Sequence, residues 1–163
     1  MTSLVDLARP RAVRYRGESV ADIIERAVAF FGLEAAKLGV TISRTVDDSV
    51  RVHASADQLY QVFLNAIHNA PQAIRGPGQL AVRCYRDDGW SVVDVADSGP
   101  GFAPEVLARA FAPLHGTKAD GTGLGLAFSK RIVEEHGGTI TEENPPDGGA
   151  RLRIRLPRRS DAP

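Results

Sequence analysis

The sequence contains one cysteine and one tryptophan, and no apolar run approaches the roughly 20 residues that a membrane helix needs. The single cysteine, Cys84, excludes an internal disulfide, and its apolar alternating neighbours predict a core position. Asp6 and Arg9 interrupt the first ten residues, which is not the pattern of a secretory signal. These absences predict a cytoplasmic segment without membrane contact, and they leave open whether a parent protein is membrane-anchored.

The chain also lacks an excess of either charge. Twenty Lys and Arg residues balance 20 Asp and Glu residues, so the formal net charge is zero and broad attraction to nucleic acid is not expected. Arg151, Arg153 and Arg155 form a local exception, and their alternation predicts the solvated face of a strand. The 163 residues, 43% of them hydrophobic, are enough for one globular domain with a sizeable core.

Helical and strand patterns alternate along the chain. Apolar spacing predicts helices over 18–38, 55–74, 104–111 and about 124–136, with an irregular stretch at 112–122. Strands are predicted at 40–46, 50–53, 79–86, 90–96, 139–143 and 151–156. Ser55 is a candidate N-cap, and Gln58 completes a capping-box pattern. The order predicts an α+β fold, a two-layer sandwich whose mixed, largely antiparallel sheet has one face covered by about three helices.

A glycine-rich segment, Gly121-Thr122-Gly123-Leu124-Gly125-Leu126, precedes the last predicted helix. Glycines let the backbone approach phosphate oxygens, and the free N–H groups of a helix start favour an anion. A simple turn is the alternative. The segment is not a P-loop, because no Lys-Ser or Lys-Thr pair follows the glycines.

The triplet Asp97-x-Gly99-x-Gly101 directly follows an apolar strand. An ordinary Asp-Ser-Gly turn would explain it without any ligand. A dinucleotide fingerprint also begins with two glycines after a strand, but Pro104 occupies its third glycine position, which disfavours that interpretation.

Asn65 and Asn69 lie four residues apart on the second long helix and therefore on one face. Asparagine is a poor residue for a helix interior, and these two interrupt an otherwise apolar stripe. Their amide oxygens suit the coordination of a hydrated cation. Alternatively, one or both bond nearby backbone.

In this order, the asparagines, the Asp97 triplet, Phe111-x-Pro113, Thr117-Lys118 and the glycine segment resemble the N, G1, F and G2 boxes of the catalytic domain of sensor histidine kinases. That domain belongs to a superfamily shared with gyrase-type ATPases. The resemblance covers residues 17–158 and implies a Bergerat-type fold that binds ATP and Mg²⁺. It further implies that residues 1–16 end a separate helical dimerisation domain and that 159–163 form a tail.

The resemblance assigns roles to individual residues. Asp97 is expected to accept a hydrogen bond from the adenine amine, Asn69 to hold Mg²⁺ with help from Asn65, and Lys118 to approach the γ-phosphoryl group. Further nucleotide contacts are expected from Gln72, Ala73, Gly99, Gly101, Phe102, Thr117, Gly121, Thr122, Gly123, Leu124, Gly125 and Leu126.

Position 65 favours phosphoryl transfer over hydrolysis. In the similar gyrase-type hydrolases a glutamate at this position activates water, whereas Asn65 cannot take a proton at neutral pH. The loss of a general base is worth about 10²–10⁴ in rate. None of the four histidines has a phosphoacceptor setting, so the resemblance implies transfer to a His on a separate helical dimerisation and phosphoacceptor domain, for relay to a response-regulator Asp. An ATPase or protein-serine kinase of the same superfamily and a non-catalytic nucleotide-binding module are the alternatives.

Several positions depart from the pattern or have more than one explanation. Pro71 falls inside a predicted helix, where it costs about 3 kcal/mol and predicts a kink or a displaced last turn. Gln72 stands where many relatives carry Lys or Arg toward phosphate. His115 is a candidate phosphate contact in the predicted lid, and His136 ends a helix where a charged ring suits the dipole.

Overall fold

The protein is described as a computed structural model that covers the backbone of residues 13–74, 77–101, 104 and 122–158; the side chains of 69–74 and 122–125 lie outside the description. The elements are β1 (Arg16–Ser19), α1 (Val20–Lys37), β2 (Val40–Val46), β3 (Arg51–Ala54), α2 (Ala56–Ile74), β4 (Gly78–Asp87), β5 (Trp90–Asp97), α3 (Thr122–Glu135), β6 (Thr139–Glu143) and β7 (Ala150–Pro157). None of these helices is long and apolar enough to span a membrane.

The five-stranded main sheet has the order β2-β4-β5-β7-β6. Only β2 and β4 are parallel, and the other neighbours are antiparallel. The three helices and one face of this sheet enclose the hydrophobic core, which includes Phe31, Phe63 and, as predicted, Cys84. The predicted two-layer α+β sandwich is therefore confirmed.

Helix α2 carries the two asparagines and extends to Ile74, as predicted. Its backbone stays helical through Pro71. At its start the N–H of Gln58 donates to Ser55 Oγ at 3.3 Å. The side-chain oxygen of Gln58 is buried without a hydrogen-bond partner, so the reciprocal half of the predicted capping box does not form.

Strand β1 was not predicted: Arg16 was assigned to a lead-in, and the prediction of a helix from residue 18 was wrong for Glu18 and Ser19, because α1 begins at Val20. Strand β1 pairs antiparallel with β3, with Arg16 opposite Ala54 and Ser19 opposite Arg51. Ser19 also caps α1, since its Oγ accepts the N–H of Asp22 at 3.3 Å. A four-residue strand whose partner lies more than 30 residues away has little local signal.

His136 joins the end of α3 to the start of α2. Its Nδ1 lies 2.8 Å from the carbonyl oxygen of Ile132, and its Nε2 lies 3.1 Å from the backbone nitrogen of Ser55. Because Ser55 contributes an N–H, Nε2 must accept, and the ring is neutral in this arrangement. The expectation of a charged ring on the helix dipole was therefore wrong. The ring of Tyr15 packs edge-on against His136, with 4.8 Å between centroids.

Glu142 is a half-buried acid on the edge strand β6. Both of its carboxylate oxygens are buried and have no hydrogen-bond partner among the described residues. Burial raises the pKa of this carboxyl from 4.5 to about 7. The folded state consequently keeps a proton that the unfolded chain releases, so stability falls as the pH rises from about 4.5 to about 7 and does not recover above that.

A Glu142→Gln variant should unfold less readily than the wild type at pH 8, by about 1–2 kcal/mol, and match it near pH 4. The amide keeps the shape of the side chain but cannot ionise. Urea unfolding at both pH values measures the difference. Glu34→Gln is the control, because Glu34 is exposed on α1. Equal pH profiles for wild type and Glu142→Gln would contradict the assignment.

Candidate functional site

Helices α2 and α3 run alongside each other in opposite directions. His136, just past the end of α3, contacts Ser55 at the start of α2. Ile132 and Phe128 then line a shared groove with Gln58 and Gln61. A helix of 14 residues is about 21 Å long, so the start of α3 lies near the level of residues 65–69 of α2. The backbone of the predicted glycine segment and that of the two asparagine positions therefore lie at a similar level along the packed helices.

The end of β5 lies at the same end of the domain. Ser98, immediately after β5, donates its N–H to the carbonyl oxygen of Gln79 at 3.0 Å and accepts the N–H of Gln79 on its Oγ at 2.9 Å. Gln79 is the second residue of β4, which begins four residues after the last residue of α2, Ile74. Asp97 is thus held at the start of β4, the strand that follows the helix carrying Asn65 and Asn69.

The turn after Asp97 is held by its own carboxylate. Gly99 donates its backbone N–H to Asp97 Oδ1 at 2.8 Å. Gly101 has a φ of +85°, and a Cβ there would lie 3.0 Å from Asn144 Oδ1 and from the carbonyl oxygen of Gly149. Both glycines of the triplet therefore shape this loop, and at Gly101 the left-handed φ and the close contacts require glycine.

Gly149 is a further residue near this site and lies in the turn between β6 and β7. Its φ is +78°, and a Cβ at this position would overlap the carbonyl oxygen of Asp97. The β6–β7 turn can lie against the end of β5 only because this residue has no side chain. The Gly148-Gly149 pair in the sequence indicates a turn, but the sequence does not indicate that Gly149 contacts Asp97.

The environment of Asp97 makes its carboxyl easier to protonate than an ordinary aspartic acid. Burial raises its pKa, and the backbone N–H groups of Gly99 and Ala150 oppose that shift. The side chain is only half-buried, so it remains accessible to a ligand. An ionised carboxylate offers about four acceptor sites, so the N–H groups of Gly99 and Ala150 leave others for a donor such as an amine.

The glycine segment differs from the prediction in one respect. Helix α3 begins at Thr122 rather than near Leu124, so Thr122 and Gly123 belong to its first turn instead of preceding it. The N–H groups of that turn have no partner within the helix, so they stay available to an anion. Leu126 is only 8% exposed and packs in the hydrophobic core.

The remaining predicted residues fall into two groups. Asn65 is described and half-buried on α2, whereas only the backbone is described for Asn69, Gln72 and Ala73. Outside the described residues lie Phe102, most of the predicted helix over 104–111, His115, Thr117, Lys118 and Gly121. Within the part of the chain that is described, no group of three His, Cys, Asp or Glu side chains could hold a metal ion.

Comparison with known proteins identifies a family that matches most of this chain. Residues 54–160 match the family described as histidine kinase-, DNA gyrase B- and HSP90-like ATPases. A sensor histidine kinase, ZraS of Klebsiella oxytoca, is 38% identical over 159 residues, which are 96% of this chain and 34% of that protein. Sporulation kinase C of Bacillus subtilis is 28% identical over 164 residues, 99% of this chain and 38% of the relative. The chain spans about a third of the length of these curated relatives.

Solved structures agree with the sequence relatives. The catalytic domain of the histidine kinase ThkA superposes with a TM-score of 0.82 at 26% identity, covering 89% of this chain and 96% of that one. Full-length ShkA in complex with AMPPNP gives a TM-score of 0.80 at 26% identity, covering 98% of this chain and 34% of that one. The likeness extends over nearly the whole described domain.

Proposed function

Because this chain belongs to the family of histidine kinase-, DNA gyrase B- and HSP90-like ATPases, we propose that it binds Mg-ATP and passes the γ-phosphoryl group to a histidine of a separate helical domain. That domain would provide both dimerisation and the phosphoacceptor, for relay to an aspartate of a response regulator. Residues 17–158 would form the catalytic unit in the cytoplasm, with 1–16 ending the helical domain and 159–163 as a tail.

The arrangement that supports this proposal is the position of three elements toward one end of the sandwich. Asp97 ends β5 there, and its loop is tied to β4 by Ser98. The C-terminal half of α2, which carries Asn65 and Asn69, leads toward this end, and the antiparallel packing of α2 and α3 supports a start of α3 near it. A purine triphosphate requires this combination: an acceptor for the base, free N–H groups for phosphate, and amide oxygens for a cation.

In this proposal Asp97 selects adenine. Its carboxylate accepts a hydrogen bond from the exocyclic amine, whereas guanine would present an acceptor at the same place. Two acceptors facing each other cost about 1–3 kcal/mol, which gives a roughly ten- to hundredfold preference for ATP. Leu126 supports the site from the core, and Phe102, Gln72 and Ala73 are proposed to contact the nucleotide.

The donor set fits Mg²⁺ bound together with a nucleotide rather than in a cage of protein ligands. Mg²⁺ keeps several waters and takes its other ligands from phosphates and one or two protein oxygens. Asn69, with Asn65 directly or through water, would supply the amide oxygens. The bound ion would neutralise phosphate charge, and Lys118, Thr117 and the N–H groups of residues 121–125 would hold the phosphates in position for transfer.

Hydrolysis is the second candidate, and Asn65 argues against it. The side chain lies on α2 one turn before Asn69, where a general base would have to be, and an amide takes no proton at neutral pH. The site should therefore hold ATP until a separate nucleophile arrives. A steady-state assay of the isolated chain measures this directly, and rapid phosphate release would favour the hydrolase.

Transfer is tested by mixing the chain with a helical phosphoacceptor domain of a related sensor kinase and ATP labelled at the γ position. We expect acid-labile label on the histidine of that domain, and none when Mg²⁺ is chelated. A phosphoacceptor domain whose histidine is replaced by glutamine is the control. Failure to label any of several related domains, with ATP binding intact, would favour a non-catalytic nucleotide-binding module.

A further inference from the structure

The main sheet has a second face, opposite the helices, that carries an unusual set of side chains. No helix of the described chain covers this face. Strand register places its residues in rows across β4, β5, β7 and β6: Tyr85, Val92, Arg155 and Thr139; Arg83, Asp94, Arg153 and Thr141; Ala81, Ala96, Arg151 and Glu143. We call this surface the arginine face. The predicted outward alternation of Arg151, Arg153 and Arg155 is confirmed, although all three are half-buried rather than fully solvated.

Two of the four arginines are neutralised by carboxylates of the same face. Asp94 is only 1% exposed and accepts hydrogen bonds from Arg153 Nε at 2.8 Å, Arg153 Nη2 at 3.0 Å and the Tyr85 hydroxyl at 3.1 Å. Arg151 donates from its Nε to Glu143 at 2.9 Å. These bonds fix the centre of the face and occupy both of its paired acids.

The other two arginines are held by aromatic rings instead. The guanidinium carbon of Arg155 lies 4.9 Å from the ring centroid of Trp90, and that of Arg83 lies 5.4 Å from the ring centroid of Tyr85. Among the described residues no carboxylate lies within 4.0 Å of either guanidinium. A guanidinium above a ring keeps its in-plane N–H donors available, and these match a carboxylate in a bidentate arrangement.

A hollow of about 270 Å³ lies between these groups. It is lined by Tyr85, Val92, Thr139, Thr141, Arg153 and Arg155, together with the acidic residues Asp87 and Glu143. It therefore combines an apolar surface with hydroxyl and guanidinium donors. Trp, Tyr and Arg are also the residues that contribute most to binding energy in protein interfaces.

We propose that the arginine face docks an acidic segment of a partner protein, whose carboxylates pair with Arg83 and Arg155. The charge complementarity favours this occupant. The carboxylates of Asp94 and Glu143 are already engaged by Arg153 and Arg151, and Asp87 is the one further acid that lines the hollow. Arg83 and Arg155 therefore leave the described face with an excess of positive charge. The two guanidiniums are anchored before the partner arrives, which lowers the entropic cost of ordering them. The arginine face is on the opposite side of the sheet from the proposed nucleotide site, so a partner bound to this face would not block the nucleotide.

Trp90 is the only tryptophan in the chain and lies under Arg155, so its fluorescence reports on this face. The chain is titrated with a peptide of eight glutamates at low salt, and the far-UV spectrum of each variant is checked. We expect a saturable fluorescence change, and at least tenfold weaker binding for the double variant Arg83→Gln and Arg155→Gln. The matched control is Arg131→Gln, an exposed arginine on α3, which should bind like the wild type. Replacement of Arg155 can itself alter the fluorescence of Trp90. The affinity of each such variant for the peptide is therefore also measured by calorimetry.

Three results would overturn the proposal. One is the absence of saturable binding. Another is equal binding by the double variant and the control, which would place the peptide elsewhere. The third is equally tight binding of a single-stranded oligonucleotide of the same charge, which would indicate a general polyanion surface instead of a site for carboxylates. A peptide of eight lysines is the negative control for the fluorescence signal.

Discussion

An Asp97→Asn variant is expected to bind ATP about 10- to 100-fold more weakly than the wild type while remaining folded. Asparagine keeps an oxygen that can accept the N–H of Gly99, so the turn after β5 should persist. Its other terminal atom is an NH₂ group, which would face the adenine amine donor to donor. The same NH₂ can donate to the oxygen of guanine, so the preference for ATP over GTP should shrink or reverse. Calorimetric titrations with both nucleotides measure the change.

Asp48→Asn is a matched control for this experiment. Asp48 is exposed in the turn between β2 and β3, and it undergoes the same chemical change. If Asp97→Asn bound both nucleotides as the wild type does, Asp97 would not read the base. Burial raises the pKa of Asp97, so this carboxylate becomes protonated at a higher pH than an ordinary aspartate does. As the pH is lowered, the ATP affinity of the wild type should therefore begin to fall earlier than an ordinary aspartate would predict.

An Asn69→Ala variant should lose about 100-fold or more in phosphoryl transfer to a cognate helical domain. The substitution removes the amide oxygen proposed to hold Mg²⁺ against the triphosphate. Alanine is a better helix former than asparagine, so α2 should not be weakened. The transfer rate is measured with γ-labelled ATP at several Mg²⁺ concentrations, and the loss should be smallest at the highest of these.

Gln61→Ala, on an exposed position of the same helix, controls for the loss of a polar side chain. Asn65→Ala gives a graded comparison, because a ligand that acts through water should contribute less than a direct one. Transfer by Asn69→Ala at the wild-type rate would remove Asn69 from the metal site. Normal transfer by Asn69→Ala together with loss of transfer in Asn65→Ala would assign the direct contact with Mg²⁺ to Asn65 instead of Asn69.

Local patterns in the sequence predicted most of the fold. The stripe of Leu59, Val62, Phe63 and Ile67 defined α2, which ends at Ile74 as expected despite Pro71. The strands of β4–β5 and β6–β7 were predicted from their apolar pattern, and the structure pairs them as antiparallel neighbours. These elements are set by interactions between residues close in sequence, where propensity and periodicity are informative.

What the sequence could not supply were contacts between distant segments. β1 depends on β3, and the neutral ring of His136 depends on a backbone N–H of Ser55, 81 positions away. Nor could the alternation of arginines reveal that Arg153 is paired with Asp94, because that contact depends on β7 lying beside β5. For the site, the order of the motifs predicted roles for Asp97 and the asparagines. The close contact of Gly149 with Asp97 became apparent only in the folded structure.

Strand β5 links the two surfaces of the domain. Val93, Val95 and Asp97 face the helices, whereas Val92 and Asp94 face the opposite side. Gain or loss of one residue within β5 would shift everything beyond it by one place and turn each side chain to the other face. An insertion or deletion near the start of β5 would therefore separate both Asp94 and Asp97 from their partners. A substitution at either position would leave the other residue in place. Within this family of sequences, β5 should therefore vary in composition far more readily than in length.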